Sequence, residues 1–230
     1  MSTIASPILE RPLKLPDDIR YLAIEGVIGV GKSSLASIIA DRLDAELLEE
    51  PFTENPFLEK FYSDRDAWAF QTQLWFLLSR HRQLKDTFEQ EDLFRNLVIA
   101  DYTLDKDRIF ALQNLSETEM SMYDTVSGAL AKEIVKPDFV VYLQGSVPTL
   151  LERIHKRDRA MERTIEGNYL RDLVERYNHH FFHYDETPVL IVNTDHIDFV
   201  HNEKDREDLL KVIEQCPPGM TFYAPNSNSN

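Results

Sequence analysis

Cysteine is nearly absent from this chain. Cys216 stands alone among 230 residues, which excludes an intrachain disulfide and fits a reducing compartment. Its plain reading is a partly buried thiol near the end of a helix. Positive charge is scarce as well. The 25 Lys and Arg face 40 Asp and Glu, leaving a net charge of −15. That disfavours a broad nucleic-acid surface, which needs clustered cations against phosphates. A small polyanion gripped by a few local cations remains open. No apolar run is long enough to span a membrane. The opening "MSTIASPILERPLKLP" has neither the apolar stretch nor the positive charge of a targeting peptide. A cytoplasmic protein without nucleic-acid or membrane partners is therefore expected. Internal repeats and composition breaks that would mark a domain boundary are also missing.

What is present is an ordinary globular balance, with 43% hydrophobic and 28% charged residues. The length suits one domain with a full core. Short β-rich apolar runs predict strands over 20–25, 45–50, 96–101, 139–145 and 188–193. Helical spacing predicts helices over 32–43, from 65 to about 89, and over 117–135, 148–157, 166–182 and 203–215. Strands that alternate with helices imply crossovers, hence a parallel five-stranded sheet covered on both faces. Residues 1–19 read as a flexible lead-in, 20–216 as a single domain and 217–230 as a disordered tail.

The richest stretch is Gly26-Val27-Ile28-Gly29-Val30-Gly31-Lys32-Ser33, followed by Ser34. It fits G-x-x-x-x-G-K-[ST]. Backbone N–H groups can wrap an anion closely only where glycine leaves room, and the helix that starts near Lys32 adds its positive end. Lys32 can reach the outer phosphates and Ser33 can hold Mg²⁺. A chance glycine turn would not have a strand before it and a helix after it. The motif thus predicts a nucleoside triphosphate site.

Three further groups bear on what happens there. "LLEEP" puts Glu49 and Glu50 at a strand end, where such sheets face their ligand; one of the two must be solvated. Asp101 ends another strand and would reach Mg²⁺ opposite Ser33, its plainer role being a helix cap. "RIHKRDRAMER", residues 153–163, holds five basic against two acidic side chains in an acidic chain. It reads as an arginine lid over phosphates rather than a solvated helix face.

With these markers in order, the chain resembles the deoxynucleoside kinases, from about Tyr21 to about Ile213. The likeness rests on "IEGVIGVGKSSL", "EEP", "NPFLEKFY", "WAFQTQLWFLLSRHRQ", "VIADYTLDKDRIFA" and the arginine stretch followed by "NYL"; "VIADY" and "FLEKFY" look most like the bacterial purine kinases. The resemblance implies a P-loop kinase fold with an arginine-rich lid, a homodimer, and transfer of the ATP γ-phosphate to the 5'-hydroxyl of a deoxynucleoside. It implies Glu50 as base, Tyr62 and Glu162 at the sugar 3'-hydroxyl, Gln73 as the amide that reads the nucleobase, and Trp68 lining that pocket. Arg80 and Asp107 fall on the pair that shapes the pocket, and Arg153, Arg157 and Arg159 on the phosphate lid. The spacing agrees in part, since Gln73 and Arg80, seven apart, share a helix face. One departure is clear: many members carry an acid-Arg-Ser triplet where this chain has Asp101-Tyr102-Thr103, so an arginine near the reacting 5'-hydroxyl is missing. Deoxyadenosine or deoxyguanosine is the expected acceptor, with deoxycytidine also open. Two other readings remain, a nucleoside monophosphate kinase and a P-loop module without catalysis.

Overall fold

The computed structural model describes residues 12–88, 97–130 and 134–225. The outer parts of the expected lead-in and tail, before residue 12 and after residue 225, lie outside the described residues, as does 131–133 within the helix expected over 117–135. β1 (Tyr21–Gly26) is buried along its whole length and forms the centre of a parallel sheet. Its partners are β3 (Val98–Ala100), with Tyr21 opposite Val98, and β4 (Phe139–Gln144), with Leu22 opposite Phe139. Outside these lie β2 (Glu46–Leu48) on one flank and β5 (Val189–Asn193) on the other. Continuous apolar runs, rather than alternating ones, are what a sheet covered on both faces requires.

The helices are α1 (Lys32–Leu43), α2 (Leu58–Ser63), α3 (Arg65–Phe88), α4 (Asp105–Asn114), α5 (Glu117–Leu130), α6 (Val147–Arg157), α7 (Gly167–Phe182) and α8 (Glu203–Glu214). α2 and α4 were not foreseen from periodicity. α2 spans only six residues and α4 buries Lys106 and Asp107 beside Ile109 and Ala111, so neither gives a clean apolar stripe.

Two end segments differ from expectation. Met220–Tyr223 forms β6, making the sheet six-stranded in the order β2-β3-β1-β4-β5-β6. It pairs parallel with β5, Val189 opposite Met220. The Pro-Pro-Gly turn and the Asn/Ser run around it suggested disorder, but Thr221, Phe222 and Tyr223 suit an extended edge. The lead-in is likewise not free near its end. Leu13 and Leu15 enter the core cluster, and the Lys14 N–H donates to Glu214 on α8 at 3.1 Å. Alternate leucines give an extended segment one apolar face to bury.

The chain leaves β1 for β2 on one side and returns through β3 before crossing to β4. The strand order therefore reverses at β1, and the crevice beyond its carboxyl end is where such sheets bind ligands.

Candidate active site

At that crevice the β1–α1 turn is held open by its glycines. Gly31 has φ 109°, and a Cβ there would meet the Phe199 ring at 2.8 Å; a Cβ on Gly26, at φ 148°, would meet the Leu143 carbonyl oxygen at 2.5 Å. Val27 and Val30 drop into the core, while Ile28, Gly29, Lys32 and Ser33 line a cavity. Ser34 faces a second crevice on the other side of the turn, shared with Lys156 and Phe199. Lys32 Nζ donates to the Val27 carbonyl at 3.2 Å and so arches over the loop. Burial, and next the nearby Lys106, pull its ammonium down to about 8, with Glu25, Glu50 and Asp101 opposing.

Ser33 and Asp101 meet: the Ser33 hydroxyl donates to Asp101 Oδ2, while Asp101 Oδ1 accepts the Glu50 N–H at 2.9 Å. Asp101 does not cap a helix, because α4 starts only at Asp105. One hydroxyl and one carboxylate are too few for a dedicated metal cage. They fit Mg²⁺, which keeps waters and takes further oxygens from a nucleotide. Among the described residues no group of three or more His, Cys, Asp or Glu could hold a metal.

The two strand-end acids part company. Glu49 is exposed, whereas Glu50 turns into the cavity. Glu50 Oε1 accepts from Arg80 Nε at 2.9 Å and also contacts Nη2; its Oε2 accepts from Lys106 Nζ at 2.6 Å. Burial opposes its ionisation, but Arg80 and Lys106 outweigh burial and hold its carboxyl well below the usual carboxylate range. Arg80 Nη1 donates to Asp107 Oδ1, both side chains being almost wholly buried. Arg80 lines the cavity and Asp107 stands behind it.

α3 turns one face to this cavity. Ala69, Thr72, Gln73, Phe76 and Arg80 are all buried and follow steps of three and four. Among the described residues, Thr72 Oγ1, Gln73 Oε1 and Asp107 Oδ2 have no protein partner. Phe52, Phe61, Phe76 and Phe110 supply apolar walls. Trp68 does not, contrary to expectation. It stacks on Phe57, with Lys60 4.4 Å above its ring.

The basic stretch divides. Arg153 is fixed: Nη1 donates to Val30 O at 3.2 Å and to Thr194 Oγ1 at 2.9 Å, and Nη2 to Thr194 O at 2.7 Å and to Ile197 O at 3.3 Å. It ties α6 to the P-loop and the turn after β5, and lines the second crevice with Ser34 and Lys156. Arg157 and Arg159 instead line the cavity, joined through Glu162, which pairs with Arg157 and lies 3.5 Å from Arg159. Arg159 also lies 4.2 Å over the Phe52 ring. Tyr62 lines the same wall, its phenol pushed up by burial and then by Tyr169 and Glu162.

Lys106 escaped the sequence reading. A lysine between two aspartates reads as a solvated helix start, and only the fold sets it on Glu50. Tyr102, the residue in place of the triplet arginine, is fully buried and donates its hydroxyl to Gln83 at 2.6 Å.

A family model described as deoxynucleoside kinase matches residues 22–216. A deoxyguanosine kinase of Bacillus subtilis is 36% identical over 199 residues, 85% of this chain and 96% of that protein. A deoxyadenosine/deoxycytidine kinase of the same organism is 30% identical, over 84% of this chain and 90% of the relative. Among solved structures, deoxyadenosine kinase from M. mycoides with bound dCTP superposes with a TM-score of 0.72 at 28% identity, over 84% of this chain and 98% of that one. With the P-loop, the strand-end acids and the arginine stretch all lying inside the matched residues, the chain belongs to the deoxynucleoside kinase family and is a kinase of deoxynucleosides.

Proposed function

We propose that the enzyme moves the γ-phosphoryl group of ATP to the 5'-hydroxyl of a purine deoxynucleoside, deoxyguanosine or deoxyadenosine, with deoxycytidine as the alternative acceptor. The observation that carries this is one cavity running from Lys32 and Ser33, past Glu50, to Gln73. Phosphates belong at the lysine end and a nucleobase at the glutamine end. Mg²⁺, when bound with the triphosphate, would neutralise its charge between Ser33 and Asp101. Lys32 and the pair Arg157 and Arg159 then face the oxygens of the group in transfer.

Glu50 accepts the 5'-hydroxyl proton as the new P–O bond forms and the bond to the bridging oxygen breaks. Transfer of this kind depends mainly on positioning and charge. At the far end Gln73 and Thr72 offer unpartnered groups to a base edge, and Arg80 fills the space a pyrimidine 5-methyl would need. Tyr62 and Glu162 suit the sugar 3'-hydroxyl. A monophosphate acceptor fits less well, because the cations at the acceptor end, Arg80 and Lys106, are already paired with carboxylates. The enzyme is proposed to act in the cytoplasm as a homodimer.

The test is turnover with ATP and Mg²⁺ on the four natural deoxynucleosides and their monophosphates. Purine deoxynucleosides should have the highest kcat/KM. Phosphorylation of the monophosphates instead would overturn the reading.

A further inference from the structure

Lys106 is 5% exposed, an uncommon state for a lysine. Its tip is bonded to Glu50. The other nearby acid, Glu25, takes three hydrogen bonds from elsewhere, Oε1 accepting from the Thr103 N–H at 2.6 Å and its hydroxyl at 3.1 Å, and Oε2 from the Gly26 N–H at 3.0 Å. Glu50 already has Arg80. Yet the two oxygens of Glu50 each carry a separate cation, Arg80 on Oε1 and Lys106 on Oε2.

The two cations differ in freedom. Arg80 is clamped at its other end by buried Asp107. Lys106 is a point charge on a flexible stem, held at its tip by Glu50. A carboxylate that is to take a proton from a substrate hydroxyl must free an oxygen. Oε1 lies in a fixed arginine fork, so the oxygen to be freed is Oε2. The displaced ammonium is already close enough to Lys32 to depress that group's pKa. Two neighbouring cations that both line the cavity mark where an anion settles. The residue after Asp101 adds none, since the Tyr102 hydroxyl is turned to Gln83.

We propose that Lys106 is a catalytic residue of the phosphoryl transfer, an inference that rests on the kinase reading above. In the free enzyme it caps Glu50 Oε2. With both substrates bound it yields that oxygen to the acceptor hydroxyl and turns its ammonium to the oxygens of the group in transfer. The hydroxyl oxygen forms the new bond to phosphorus, the bond from phosphorus to the bridging oxygen breaks, the electron pair leaves on the diphosphate, and the proton goes to Glu50. Lys106 keeps its own protons throughout.

The test is steady-state kinetics of Lys106→Met and Lys106→Arg on the best deoxynucleoside, with thermal unfolding alongside. For Lys106→Met, kcat should fall about 10²-fold while both KM values move little; Lys106→Arg should keep much of the lost rate. A merely structural lysine would lower the melting temperature and leave kcat of the folded variant close to that of wild type. A folded Lys106→Met variant with near-normal kcat, or with only KM changed, overturns the proposal. Should that variant not fold, Lys106→Gln replaces it: an arginine variant at least about tenfold faster than the glutamine one supports the proposal, and equal rates overturn it. A wild type that phosphorylates no deoxynucleoside overturns the kinase reading and this proposal together, whereas an active wild type with an unaffected variant overturns this one alone.

Discussion

The two ends of the cavity are built in opposite ways. At the P-loop end the walls are backbone and glycine, and among the described residues the lysine there has no carboxylate partner within hydrogen-bond reach, its ammonium resting on a carbonyl. At the Gln73 end the walls are side chains from α3 and α4, and the charges are answered: Arg80 by Glu50 and Asp107, Lys106 by Glu50. An end short of negative charge invites a polyphosphate. An end already neutral, with phenylalanine walls and unpartnered Gln73 and Thr72 atoms, suits an uncharged nucleoside. The chain's net charge of −15 therefore says little about its ligand, because the few cations that matter are gathered at one place.

The largest break in this contrast should come from the P-loop end. Lys32→Ala is expected to lower kcat about 10³-fold or more, since it removes the charge that meets the phosphates. The melting temperature should not fall, because burial already disfavours that ammonium in the free protein. Turnover and thermal unfolding of the same preparation check both halves. Near-normal turnover would mean that phosphates are not held there.

Glu50 lies where the two ends meet. Glu50→Gln keeps the size and loses the proton acceptor, so kcat should fall about 10²-fold with nucleoside binding largely kept. Glu49→Gln, one residue away but exposed, should stay close to wild type. Single-turnover rates and nucleoside affinity for both variants decide the matter. The opposite ranking would move the active carboxylate by one residue.

The answered end should be fragile to single changes and tolerant of a paired one. Arg80→Met alone strands the buried Asp107 and should cost ~3–5 kcal/mol of stability, whereas Asp107→Ala leaves Arg80 paired with Glu50 and should cost less. Replacing both with apolar residues should cost less and admit thymidine, which wild type should use poorly. Denaturant unfolding and kcat/KM for the four deoxynucleosides test this. An unchanged substrate ranking in the double variant would separate the pair from base choice.

Much of this contrast was legible before the fold was known, for unequal reasons. The P-loop announces itself because its chemistry is local: glycines, lysine and serine must be consecutive. Gln73 and Arg80 share a helix, so spacing alone puts them on one face. What periodicity could not show were meetings of distant segments. Lys106 reaches Glu50 only because β3 lies between β1 and β2, which sets the start of α4 beside the end of β2. Arg153 looked like its neighbours Arg157 and Arg159, yet its position one turn earlier on α6 places it against Val30 and Thr194. Trp68 stacks on Phe57, a partner that helical spacing does not reveal, and β6 was hidden by the prolines before it and the polar run after it.

The finest test of the contrast is its pH dependence. Lys32 is drawn down to about 8 by burial first and Lys106 second, with Glu25, Glu50 and Asp101 opposing. Below pH 8 the free enzyme carries the ammonium that a triphosphate needs, and affinity for ATP should be flat. Above pH 8 the free enzyme loses that proton while the bound complex retains it. The dissociation constant should then rise by up to about tenfold per pH unit, with net proton uptake on binding. Calorimetric titration at pH 7, 8 and 9, in two buffers of different ionisation enthalpy, measures affinity and proton uptake together. Lys106→Met removes one of the two depressing causes and should move the onset of the rise to higher pH. The nucleoside end gives the control, because a neutral acceptor meeting an already ionised Glu50 should bind equally well across the same range. ATP affinity unchanged from pH 7 to 9 would show that the lysine end is not short of negative charge, and the difference between the two ends would then lie in shape alone.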